Sequence, residues 1–99
     1  MKDEFITRVG VLGQRHYNYL KKHFTTVINV MRMNGTLEQY IKYIDKDAKD
    51  MFDKLVKQLA DSEGINEELK SANEIDWIRS MNSIRNRAEE IVLSEVIYN

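Results

Sequence analysis

The sequence predicts an all-α protein, a small antiparallel helical bundle of three to four helices. Three observations predict it. There is no Pro and there are only four Gly, punctuation too sparse for a turn-rich β architecture. Apolar residues recur in alternating steps of four and three over 37–55 and again over 77–91, the spacing that lines one side of a helix. No stretch shows the apolar–polar alternation of a half-buried strand. A length of 99 residues allows a single domain with one core.

The elements follow in chain order. Residues 1–10 are mixed and read as a flexible lead-in. A first helix is expected from Val11 to His23, with Tyr17, Leu20 and Phe24 on one side and Leu12 or Gln14 a turn or so earlier. Thr25 and Thr26, both β-branched hydroxyl residues, mark a cap or a kink. Val27, Ile28, Val30, Met31 and Met33 then continue as an apolar helix, stopped by Asn34-Gly35. Thr36 and Gln39 fit a capping box opening the next helix. Its seam is Leu37, Ile41, Ile44, Ala48, Met51 and Leu55, widened by Tyr40, Phe52, Val56 and Leu59. Asp45 could re-cap the chain and divide this helix. Asp50 with Lys54, and Asp53 with Lys57, stand at ion-pair spacing. Asn66 caps a third unit, with Glu67 and Glu68 in its first turn. Asn73-Glu74 is either a break or the middle of one helix over 66–96. The last helix carries Trp77, Met81, Ile84, Ala88 and Ile91 on its core side. Met31, Met33, Met51 and Met81 read as core filler.

Composition narrows the function classes. No Cys removes disulfides, thiolate catalysis and cysteine metal sites. No long apolar run and no apolar leader at the start lead to the expectation of a cytoplasmic protein without a membrane partner. The formal charge is unevenly spread: +4 over residues 1–35, −5 over 36–76 and 0 over 77–99. The first third could face a polyanion, whereas the middle would be repelled by one.

Few motifs carry chemistry. His16 and His23 stand two helical turns apart, about 10.5 Å of rise, too far to share a metal ion. No Gly-x-Ser-x-Gly elbow occurs, and Glu89 and Glu90 diverge around the helix and form no carboxylate pair. No catalytic residue, metal or cofactor is expected, and a non-enzyme is the reading. Arg15, Lys21 and Lys22 lie among Tyr17, Tyr19 and His23, a mix that could neutralise phosphates and stack on bases. The simpler reading turns the Tyr and Leu to the core and the Lys to water. A helix-turn-helix over 11–23 and 25–33 is weakened by its second helix, which is almost wholly apolar.

The most distinctive polar feature is the face formed by Asn82, Arg85, Asn86 and Glu89, with Arg79 beside it. Asn is a poor helix former because its side chain competes for backbone groups. Two of them one turn apart point to a partner, a twin helix, a buried hydrogen-bond network or chance.

The run WIRSMNSIRNRAEEIV at 77–92, closing with SEVIY at 94–98, resembles the TnpV family of small proteins encoded on transposons of low-GC Gram-positive bacteria. YLKKH at 19–23 and the acidic stretch 44–70 resemble the family pattern as well, so the likeness spans roughly 13–98. The chain departs from that pattern in carrying fewer Arg near residues 14–18 and no Pro after His23. The resemblance implies a mobile genetic element, a bacterial cytoplasm and a small accessory protein, and it assigns no activity to residues. Two functions are then expected. One is a non-enzymatic accessory or regulatory protein that binds a protein or nucleic acid stoichiometrically, with a homodimer as one form. The alternative is an anti-CRISPR-like inhibitor of a host nuclease, its acidic face of Asp45, Asp47, Asp50, Asp53, Asp61, Glu63, Glu67 and Glu68 occupying a nucleic-acid channel.

Overall fold

The computed structural model describes residues 3–99, and residues 1 and 2 of the expected lead-in lie outside the described residues. All described secondary structure is helical. Five α-helices form where three to four were expected: α1 (Val11–His23), α2 (Thr25–Met33), α3 (Leu37–Ser62), α4 (Glu67–Ala72) and α5 (Glu74–Val92). A 3-10 turn (Glu4–Arg8) precedes them and a π-helical turn (Leu93–Ile97) follows α5. The molecule is long, 56 × 22 × 17 Å, because α3 spans about 39 Å with α1, α2 and α5 packed along it and α4 packed on α5.

Within the lead-in, Glu4–Arg8 form the 3-10 turn. Phe5 and Val9 are buried against Tyr17, Leu20, Ile28, Leu37 and Ile41. Asp3 holds them there: it accepts from the Tyr17 hydroxyl and from Nε and Nη2 of Arg32, the latter at 2.7 Å. The Arg32 guanidinium, and then the Tyr17 hydroxyl, keep the Asp3 carboxyl below its ordinary value despite partial burial. Burial, then the carboxylate beside it, pushes the Tyr17 hydroxyl up.

Asp45 does not divide α3. Its carboxylate reaches across to the start of α1 and accepts from the backbone N–H of Gly10 and of Gly13, at 3.3 and 2.9 Å. Gly10, the residue before α1, has no side chain to cap it, so a residue 35 positions away supplies the cap. Gly13 is what lets the two helices come this close: a Cβ there would collide with a Val9 methyl and stand 2.8 Å from Asp45 Cβ.

Gly35 takes φ of +76° and ends α2 in a Schellman motif, with Thr36 N–H donating to Met31 O. Gly64 at φ +70° ends α3 the same way, through Ile65 N–H to Ala60 O. The expected capping box at Thr36 is absent, because the Thr36 hydroxyl turns back to Asn34 Oδ1 at 2.6 Å. The chain does break at Asn73, whose side chain caps α5 through Asp76 N–H, so 66–96 is two helices. Asn66 caps α4 as expected, accepting from Leu69 N–H.

The α3 seam faces inward along its length, yet burial is uneven. Leu37, Ile41 and Ala48 are sealed, whereas Val56, Leu59, Ala60 and Trp77 are half-buried. Ile91 is exposed and Val92 takes its place in the core, beside Ala48 and Ile97. Met33, expected as filler, is 87% exposed with Val27 and Val30, and α2 buries only Ile28. On α3 the ion pairs are Glu38–Lys42 and Lys46–Asp50; the expected Asp50–Lys54 and Asp53–Lys57 pairs do not form.

Candidate partner-binding surfaces

Helical spacing decides which residues α5 turns outward. Met81, Ile84, Ala88 and Val92 are buried against α3 and the C-terminal turn. Asn82, Arg85, Asn86 and Arg79 are exposed, and no hydrogen bond or ion pair to them occurs among the described residues. An internal network is therefore not why the two Asn stand there. Glu89 is half-buried and lies 3.7 Å from Arg15 of α1, a loose pair between helices, although Arg85 stands one turn before it on α5.

The exposed stripe continues past Arg79 toward the start of α5. Ile75 is 70% exposed and Ile78 45% exposed, and both lie at helical steps from Asn82. Ile75, Ile78, Arg79, Asn82, Arg85, Asn86 and Glu89 fall within about 120° of one side of α5. The signal was present in the sequence, since steps of three and four continue backward from Asn82. Past Glu89 the surface dips into a shallow depression lined by Val11, Leu12, Arg15, Phe52 and Glu89.

The basic first helix divides. Arg15 and Lys22 line one depression with Asn18, Tyr19, His23 and Tyr98. Lys21 turns away, its Nζ 5.5 Å from the centre of the Tyr17 ring on the Asp3 side. Tyr19 gathers an aromatic cluster, its ring centre 5.1 Å from His23, 5.3 Å from Tyr98 and 5.6 Å from Phe24. No local signal could have placed Tyr98, which arrives from the other end of the chain.

His16 sits under this cluster, buried, with both ring nitrogens bonded. A carbonyl can only accept, so Nδ1 donates to Ile97 O at 2.8 Å. In the neutral ring Nε2 then accepts from the Tyr40 hydroxyl, at 2.9 Å. The histidine fastens α1 to α3 and to the C-terminal turn, whereas His23 is exposed.

The acids do not form one face. Asp45 is taken up at the start of α1, Asp50 by Lys46, and Glu63 by a two-pronged contact with Arg87 at 2.6 and 2.9 Å. That guanidinium lowers the Glu63 carboxyl below its ordinary value. Asp47, Asp53 and Asp61 are exposed on α3 with Lys49, Lys54 and Lys57 interleaved, and Glu67 and Glu68 lie exposed on α4. Among the described residues no helix is long and apolar enough to cross a membrane.

The family model of the transposon-encoded protein TnpV matches residues 1–97. No curated protein and no solved structure matches the chain. With nearly all of its length matched, the chain belongs to the TnpV family.

Proposed function

We propose that this transposon-encoded TnpV-family chain is a non-enzymatic accessory protein of its element, working in the host cytoplasm by stoichiometric binding to a protein through the exposed stripe of α5. One observation carries the reading: Ile75, Ile78, Arg79, Asn82, Arg85 and Asn86 share one side of α5, exposed and, among the described residues, without side-chain hydrogen-bond or ion-pair partners. The composition suits a protein interface, where Arg is enriched and Lys depleted; the stripe has two Arg and no Lys. The mixed charge along α3 and the internal use of Asp45, Asp50 and Glu63 give the nuclease-inhibitor alternative no continuous acidic face.

Co-purification from cells carrying the element tests this. Tagged parent protein should retain a chain in stoichiometric amount, a second copy included. Changing Asn82 and Asn86 together to Gln, or Ile78 to Glu, should lose it at an unchanged melting temperature. Equal capture by parent and variants, or none by the parent, would refute the reading.

A second reading has its own observation. Arg15 and Lys22 beside the Tyr19–Tyr98 cluster suit the backbone and bases of a single strand. Binding of a labelled oligonucleotide at about 50 mM salt, weakened by Tyr98→Ala and by rising salt, is what it requires.

A further inference from the structure

We infer that the α5 stripe is closed by a second copy of this chain, in a two-fold dimer with the two α5 helices antiparallel. The inference rests on the stripe being a protein-binding surface and names its occupant.

The stripe is self-complementary. In an antiparallel pair of identical helices, a two-fold axis sets positions equidistant from it against each other. An axis level with Ile84 places Arg79 opposite the partner subunit's Glu89, and Asn82 opposite the partner subunit's Asn86, each contact made twice. Opposite charges meet, and amides meet amides, which can donate and accept reciprocally. An axis level with Asn82 would instead set Arg79 against Arg85. Of these two registers, the one level with Ile84 is the one the charges favour.

The apolar residues obey the same register. Ile78 falls opposite the level of the partner subunit's Glu90, one residue past its Glu89. Glu89 lines the depression that also holds Val11, Leu12 and Phe52. Ile78 and Arg85 lie on the side of α5 that faces α1, shown by the Arg15–Glu89 contact. A two-fold axis perpendicular to both helices keeps that side matched to that side. Each copy's Ile78 therefore meets the other's depression, whose Val11 is 68% exposed in the single chain. One docking covers Val11, Ile75 and Ile78, joins two opposite charges twice, and lays the thin end of each molecule along the thick end of the other.

Light scattering on the full chain after size exclusion tests this, at concentrations up to about 100 µM. The expected mass is twice the 11.7 kDa of one chain. Ile78→Glu and Arg79→Glu should each give the single-chain mass with unchanged helical content and melting temperature at matched low concentration. Arg79→Glu combined with Glu89→Arg should restore the dimer, because both reciprocal pairs are re-formed with signs exchanged. A parent protein of 11.7 kDa throughout would overturn the inference. So would a dimer indifferent to Ile78→Glu and Arg79→Glu, or a failure of the exchanged pair to rescue Arg79→Glu. A monomeric parent that still captures another chain through Asn82 and Asn86 sinks the dimer alone. A dimer that forms without the stripe, with capture unaffected by Asn82 and Asn86, sinks the stripe's role as well.

Discussion

The two ends of α3 are built differently, and the difference separates what folds this chain from what is left over for binding. At the first end α1, α2, the 3-10 turn and the C-terminal turn surround the helix. There Ile28, Leu37, Ile41, Val92 and Ile97 are sealed from solvent. Polar groups are satisfied across long sequence separations: Asp45 at the start of α1, His16 between Ile97 and Tyr40, Asp3 on Arg32. At the far end, among the described residues, α3 has the first half of α5 beside it, with α4 packed on α5. Val56, Leu59, Ala60, Ile65, Leu69 and Trp77 are half-buried there, and Ile75 and Ile78 are exposed. The tie at that end is the exposed Arg87–Glu63 pair. Two helices side by side cannot enclose a residue as three or four can, so apolar surface at the thin end stays open to a partner.

The comparison breaks first if the thick end proves tolerant. Ile41→Ala should cost about 2–5 kcal/mol, since it empties a sealed site between α1, α2 and α3. A urea melt showing less than about 1 kcal/mol would mean that this end can collapse around the loss. Gly13→Ala comes next, at about 1–3 kcal/mol, because the new methyl meets Val9 and Asp45 and must push α1 off α3. A neutral effect would show that the close approach is adjustable.

At the thin end Trp77→Ala should cost only about 1–1.5 kcal/mol, roughly half the value of burying a large apolar side chain fully. The ring is half-buried, with Lys70 Nζ 4.7 Å from its centre. A loss comparable to that of Ile41→Ala would erase the distinction between the ends. The smallest effect is in acid. The Asp3 carboxyl is depressed in the fold, so its contribution is fully present above its ordinary value of 3.8 and is lost as pH falls through the lower folded value. Asp3→Asn should therefore flatten the fall in urea midpoint below about pH 4. An unchanged profile would assign acid sensitivity elsewhere.

How much of this was legible in the sequence depended on range. α1 runs from Val11 to His23 as its spacing indicates, and the α3 seam lies inward as its four-three steps require. Caps made by a residue's own neighbours were legible at Asn66, and the turn at Gly35 was legible from its glycine. What was hidden was tertiary. Asp45 looked like a helix breaker or a member of an acidic face, and it caps a helix 35 positions away. His16 stood out only as a histidine too far from His23 to share a metal ion, and its partners are Ile97 and Tyr40. Phe5 and Val9 looked like part of a lead-in because no period marks a five-residue turn. On the α5 surface, Asn82 and Asn86 were readable as misfits on a helix. Ile75 and Ile78 fit a core stripe equally well in the sequence, and the fold leaves them 70% and 45% exposed.

Amide hydrogen exchange across the full chain tests the contrast between the ends most directly. Free energies of local opening run from near zero in thinly packed regions to the global value in the core. Residues 37–48 of α3 and 84–92 of α5 should exchange slowly and together, near the global limit. Residues 59–80, spanning the end of α3, α4 and the start of α5, should open at lower free energy. The Ile78→Glu variant should leave the first group unchanged at matched low concentration. Uniform protection from 37 to 92 would contradict the account, for it would make the thin end as firmly packed as the thick one.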